Sequence, residues 1–365
     1  AERAQYKAEA KIFRAMVMFD MVRLWGDFPV ITTVADDITS ENIDEVYPQY
    51  FPKQNTELEA YQQIEKDLLD AVLYAPDNTP GNKTLFSKSV ARTLLAKIYA
   101  EKPLRDYTKV IQYCDEVKAD GFDLVDDFSD LFGMNAAGTD AKMRNTKESI
   151  LEAQFTSGAG NWCTWMFGRD LVNWNNNFTW AKWVTPSRDL ISAFKQEGDE
   201  VRFKESIVYY DCNWSNYYPS DNYPFMYKCR SANSSIIKYR YADVLLLKAE
   251  ALIMQDTPDL EGAADIIDEV RDRAKLGALP TSVRSNKNAM LNALLKERRL
   301  ELAFEGQRWF DLVRLDKVEE VMNAVYSKDS GRKAQIYTFD KNSYRLPIPQ
   351  SVIDANDKIH QNPGY

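Results

Sequence analysis

Residues Lys296–Leu315 read KERRLELAFEGQRWFDLVRL, and this stretch decides how the chain is organised. Leu291, Leu294, Leu295, Arg298 and Leu302 recur at the spacing of an amphipathic helix. Arg298, Glu301, Glu305 and Arg308 fall at i, i+3, i+7 and i+10, which places two charges of each sign on one predicted face. Gly306 interrupts the pattern, and Trp309, Phe310, Leu312 and Val313 then surround Asp311 and Arg314. Charges among so much apolar surface are tolerated only if each finds a partner. The expectation is an internal brace in which Arg298 and Arg308 hold Glu301 and Glu305 ionised. A carboxylate pair could instead divide general acid and base work, but two flanking arginines lower a carboxylate pKa rather than raise it.

Composition narrows the function classes. The 365 residues are 45% hydrophobic and 28% charged, which suits a globular chain with a full core. A net charge of −9 disfavours nucleic acid or an anionic membrane as the main partner. The single histidine, His360, leaves little material for Ser-His or Cys-His catalysis or for a histidine metal site. Cys114, Cys163, Cys212 and Cys229 lie far apart and neither demand nor exclude a disulfide. With no phosphate loop or calcium loop in the sequence, no cofactor or metal is implied; a structural cation is left open.

Along the chain, Ile12, Ala15, Met16, Phe19 and Val22 line a first helix that ends at Trp25-Gly26-Asp27. Thr56 and Glu59 have capping-box spacing ahead of a stripe of Tyr61, Ile64, Leu68 and Val72. A helix pair near Ser87–Glu101 and Tyr107–Lys118 can be laid over Arg240–Arg271 by a shift of 153, so that Leu94 meets Leu247 and Ala96 meets Ala249. In the later copy Thr257 is the expected cap, with Pro258 in the first turn. FDMVRL at Phe19 is echoed by FDLVRL at Phe310. Repeated helix pairs stack so that neighbours bury what one pair cannot. The predicted fold is therefore mainly α: a tetratricopeptide-like helix-pair scaffold with an irregular, loop-rich inserted region. Residues 1–120 form its N-terminal part, 121–235 the insert, and 236–365 the C-terminal part.

The insert holds six of the eight tryptophans and a crowd of tyrosines. A sugar ring offers a C–H face to an aromatic plane and hydroxyls at its rim to amides. The run NWCTWMFGRDLVNWNNNFTW at Asn161–Trp180 interleaves both kinds of group. Trp162, Trp165, Trp174, Trp180, Asn173, Asn175, Asn176 and Arg169 are its candidate ligand-binding residues. Trp183 belongs rather with the helix start in WVTPSRDLISAF.

Four segments together carry a family resemblance: FRAMVMFDMVRLWGDFPVIT at Phe13, RYADVLLLKAEAL at Arg240, ERRLELAFEGQRWFDLVR at Glu297, and RLPIPQSVIDANDKIHQNPGY at Arg345. In this order they resemble the SusD/RagB family of surface nutrient-binding lipoproteins of Bacteroidetes. The resemblance implies a non-enzymatic oligosaccharide binder on the outer face of the outer membrane. Its implied partner is a SusC-like TonB-dependent transporter, and RagB-like relatives take peptides instead. It also implies a lipid anchor and further helices ahead of Ala1, so the sequence is expected to be truncated at its start.

Overall fold

The computed structural model describes residues 2–155, 184–212, 222–328 and 338–365. Helix α1 (Glu2–Trp25) buries Ile12, Ala15, Phe19 and Val22 and stops at Gly26, whose φ of +74° suits a residue without a side chain. Helix α2 (Glu57–Tyr74) opens on the expected capping box, with Thr56 and Glu59 each satisfying the other's backbone N–H. It lies against α1, where Phe19 and Tyr61 meet edge to face at 6.2 Å. Helices α3 (Lys88–Ala100) and α4 (Tyr107–Ala119) follow as an antiparallel pair.

Strand β1 (Ser149–Ala153), helix α5 (Arg188–Glu197), helix α6 (Glu200–Ser206) and strands β2 (Ile207–Tyr210) and β3 (Tyr223–Met226) belong to the middle of the chain. Strand β4 (Ile236–Arg240) leads directly into α7 (Tyr241–Met254) and α8 (Leu260–Arg273). Helices α9 (Lys287–Glu301), α10 (Arg308–Arg314) and α11 (Val318–Lys328) follow.

The two helix pairs repeat as the shift of 153 predicts. Leu94 and Leu247, Ala96 and Ala249, Val110 and Ala263, and Val117 and Val270 are all buried, so both copies use the same face. Helices α1, α2, α3, α4, α7, α8 and α9 pack successively, each covering the apolar stripe of the one before. The helical fold is the expected tetratricopeptide-like one. The cap of α8 differs from expectation: Asp259, not Thr257, accepts the N–H of Gly262 at 2.9 Å, and Thr257 and Pro258 precede the helix. A carboxylate at that position gains from the helix dipole as well as from the hydrogen bond.

The stretch that opened the sequence reading also departs from a single helix. Helix α9 ends at Glu301, and left-handed backbone at Phe304 (φ 65°) and Gly306 (φ 75°) turns the chain before α10. Glu305 and Arg308 therefore leave the helix face that carries Arg298 and Glu301. The FDMVRL and FDLVRL echoes meet in space: the Arg23 guanidinium is sandwiched between the Phe19 and Phe310 rings at 3.8 and 3.9 Å.

β1 and β4 pair antiparallel, as do β2 and β3 with Ile207 opposite Met226 and Tyr210 opposite Tyr223. A second apolar cluster joins Phe194 of α5, Ile207 of β2 and Phe225 of β3 to Leu300 and Ala303 at the end of α9. The middle of the chain is thus seated on the same stretch that closes the scaffold.

Candidate functional site

The end of α9 is charged on two sides, and each side addresses a different part of the molecule. Toward the scaffold, Arg298 donates to Asp311 through Nε and Nη2, both at 2.9 Å, and to Asp243 of α7 at 2.7 Å. Asp243 also accepts from Lys97 of α3 at 2.6 Å, while Arg314 binds Glu250 at 2.7 and 2.8 Å. These groups are buried and tie α3, α7, α9 and α10 together. Burial opposes the ionisation of Asp243, but Lys97 and Arg298 outweigh it and hold the carboxyl below its usual range.

Toward the middle of the chain, Glu301 accepts from Arg202 of α6 at 3.0 Å, from Arg240 of β4 at 2.5 Å and from Arg273 of α8. Arg202 also binds Asp199 and Glu297, both at 2.5 Å, and Arg240 binds Glu148 at 2.7 Å. Glu305 pairs with Lys228 at 2.6 Å and with Arg240 at 2.7 and 2.8 Å. Burial would raise the Glu301 pKa, yet Arg273, Arg240, Arg202 and Lys228 together keep it well below the carboxylate range. The Lys228 pKa also falls, but here burial is the cause: it disfavours the ammonium and pushes the group down to about 8 despite Glu305.

Arg298, Glu301 and Glu305 therefore lie in ion networks but not with one another: Arg298 pairs with Asp311 of its own stretch and with the distant Asp243, and the two glutamates pair with distant segments. Arg308 does not bracket the carboxylates; it donates to the Leu295 carbonyl at 2.8 Å, and burial lowers its pKa to about 10. Glu301 is fully buried and ionised, so it can neither touch a solvent-borne substrate nor deliver a proton. The partners Arg202, Lys228, Arg240 and Arg273 were missed at the sequence level. One signal was available: Arg240 and Asp243 sit in the otherwise apolar run RYADVLLL, where a charge must be paired.

Trp162, Trp165, Trp174, Trp180, Asn173, Asn175, Asn176 and Arg169 lie outside the described residues, as do Cys163 and Trp183. Their flanks are described. Downstream, Ser187 caps α5 through the Leu190 N–H, and Thr185 shares a hydrogen bond of 2.9 Å with the Tyr223 hydroxyl on β3. Upstream, Arg144 donates to the Phe155 carbonyl at 2.7 Å, to the Asn233 carbonyl at 3.1 Å and to Ser235 at 3.0 Å. Tyr223 also follows Trp214, Tyr217 and Tyr218 closely in the sequence. The bond thus ties Thr185, just ahead of α5, to Tyr223 of β3, and the paired strands β2 and β3 pack on the end of α9. Among the described residues, no cluster of His, Cys, Asp and Glu suits a metal ion, and no helix is long and apolar enough to cross a membrane.

Two family models match the chain. One, described as starch-binding associating with outer membrane, covers residues 1–100; the other, described as the SusD family, covers residues 222–365. The chain belongs to the SusD/RagB family. SusD-like protein P2 of Formosa agariphila is 28% identical over 98% of this chain and 74% of its own length. A SusD homolog from Bacteroides thetaiotaomicron shares the fold with a TM-score of 0.76 at 23% identity, over 100% of this chain and 79% of that one. A surface glycan-binding protein A from the same organism, solved in complex with laminarihexaose, gives a TM-score of 0.74 at 19% identity, over 99% and 78% of the two chains. These likenesses agree with the helix-pair scaffold; the residue roles in this chain rest on its own geometry.

Proposed function

We propose that this protein captures oligosaccharides at the outer face of the outer membrane and passes them to a SusC-like TonB-dependent transporter, to which it is held near by a lipid anchor. The observation that carries the reading is the hydrogen bond between Thr185 and Tyr223, which joins the margins of the two segments richest in Trp, Tyr and Asn. Trp162, Trp165, Trp174 and Trp180 supply stacking planes, and Asn173, Asn175, Asn176 and Arg169 supply hydrogen bonds to ring hydroxyls. The family's starch-binding description and the laminarihexaose complex of a SusD-fold relative support a saccharide as the ligand class. The protein does no chemistry on that ligand. Glu301 and Glu305, the pair considered for acid and base work, are engaged by arginines and a lysine.

Calorimetric titration with a panel of hexasaccharides, laminarihexaose included, and with a mixed peptide library tests this reading. Heat of binding is expected from the saccharides alone. Binding restricted to peptides would place the chain with the peptide-capturing RagB-like members. Release of shorter sugars on incubation, abolished by Glu305→Gln, would make it an enzyme.

A further inference from the structure

The connection between α1 and α2 combines exposed acids with exposed apolar side chains. Residues 31–52 contain five acids, Asp36, Asp37, Glu41, Asp44 and Glu45, and no lysine or arginine. All five are exposed. A short helical turn at Ile43–Val46 runs straight into a 3-10 turn at Tyr47–Tyr50, so Ile43, Tyr47 and Tyr50 fall at i, i+4 and i+7. They are 46%, 53% and 49% exposed, and Val34 in the same connection is 95% exposed. Val46, on the opposite side of the turn, is buried and anchors it.

This apolar stripe borders a groove of about 450 Å³ between Tyr47, Pro48 and Phe51 on one wall and Asp354, Asp357 and Lys358 on the other. Three hydrogen bonds to backbone carbonyls brace the groove. Lys358 donates to the Phe51 carbonyl at 3.0 Å, Asn356 to the Pro52 carbonyl at 2.8 Å, and the Tyr50 hydroxyl to the Asp36 carbonyl at 3.1 Å. The ring of Tyr47 leans on that of Phe51 with centroids 5.0 Å apart. Among the described residues that line the groove, Lys358 is the one cation; it is thereby turned toward a carbonyl, and the carboxylates of Asp354 and Asp357 add to the negative field.

We infer that this face is an interaction surface for a protein segment that presents an apolar side chain flanked by Lys or Arg. Charge decides the occupant. An anionic lipid surface is repelled by seven carboxylates, and a second copy of the chain would bring the same carboxylates against them. An aromatic wall beside carboxylates instead suits a cation with an apolar stem, which gains from ring, charge and burial at once. The surface lies in segments other than Asn161–Trp180 and does not depend on which nutrient the chain captures.

The test uses the full chain and three blocked nine-residue peptides. The first has one Leu and one Phe among lysines, the second replaces Leu and Phe with Ser, and the third replaces Lys with Glu. The first is expected to bind, with affinity falling about tenfold between 50 and 300 mM NaCl, because the contact is partly ionic. Tyr47→Ser is expected to weaken it about five- to tenfold, and Asp44→Asn with Glu45→Gln about three- to fivefold. Leu73→Ser, at an exposed apolar position on α2, serves as the control and leaves affinity unchanged. Equal binding of the serine peptide, equal loss in the Leu73 variant, or unchanged affinity in the Tyr47 variant would overturn the assignment.

Discussion

Glu301→Gln removes one charge at the point where the scaffold and the middle of the chain are joined, with almost no change of shape. The network around it sets Arg202, Lys228, Arg240, Arg271 and Arg273 against Glu148, Asp199, Glu297, Glu301 and Glu305. Glu197 joins it through Arg271 and Lys296, so six cations face six carboxylates and the substitution leaves one positive charge uncompensated in a buried site. Breaking such a network costs about 3–5 kcal/mol, because the stranded partner keeps its desolvation penalty. Unfolding entropy near 2.1 cal/mol/K per residue, over a 365-residue chain, makes that a fall of about 4–7 °C in melting temperature. Differential scanning calorimetry at pH 7 measures it. Arg308→Ala is the internal comparison: Arg308 loses a single bond to a carbonyl, worth about 0.5–1.5 kcal/mol, and should melt within about 2 °C of wild type. If Glu301→Gln melts like wild type, or if Arg308→Ala is the more damaging of the two, the partner assignments are wrong.

The remaining predictions concern pH, stacking and the hairpin. Lys228 has its folded pKa lowered to about 8 against an unfolded value of about 10.4, so the unfolded chain holds the proton that the folded one releases. Stability from this residue is expected to rise between about pH 8 and pH 10, and the rise in urea midpoint should vanish in Lys228→Met. The Glu301 pKa is depressed as well, by Arg273, Arg240, Arg202 and Lys228 against the cost of burial, so its effect has the same sign in a different pH window. Its contribution is complete above the unfolded value of about 4.3 and is lost as pH falls through the lower folded one, so the acid limb of a pH melt should flatten in Glu301→Gln. Arg23→Met keeps an apolar stem but loses the Phe19 and Phe310 cation contacts and the Asp20 ion pair. Chemical denaturation should record a loss of about 1–2 kcal/mol. Tyr223→Phe removes the bond to Thr185, and saccharide affinity measured by calorimetry should fall severalfold while the melting temperature moves by less than about 2 °C.

What could be seen in the sequence depended on how local the cause was. The helix pair at Leu94 and Leu247 was legible because burial of the same positions in both copies leaves the same periodic pattern. The box of Thr56 and Glu59 was legible because both partners lie within one turn. Ion partners were not: Arg298 finds Asp243 55 positions away, and Glu301 finds Arg202 99 positions away. A charge pattern along one helix says that partners are needed, not where they come from. Gly306 marked the break in the pattern, but the shared face drawn from Arg298 to Arg308 failed because the helix already ends at Glu301 and the chain turns left-handed at Phe304, a non-glycine position. The aromatic segment was conspicuous for its composition, and only its flanks, at Phe155 and Thr185, have a described setting.

The most direct test of glycan capture is a titration of wild type and of Trp162→Ala, Trp165→Ala, Trp174→Ala and Trp180→Ala with laminarihexaose and with whichever panel sugar binds best, each variant checked by its melting temperature. At least one of the four should lose about 1–3 kcal/mol of binding while melting within about 2 °C of wild type. Normal saccharide binding by all four variants, or unfolding of all four, would contradict it and return the tryptophans to the core.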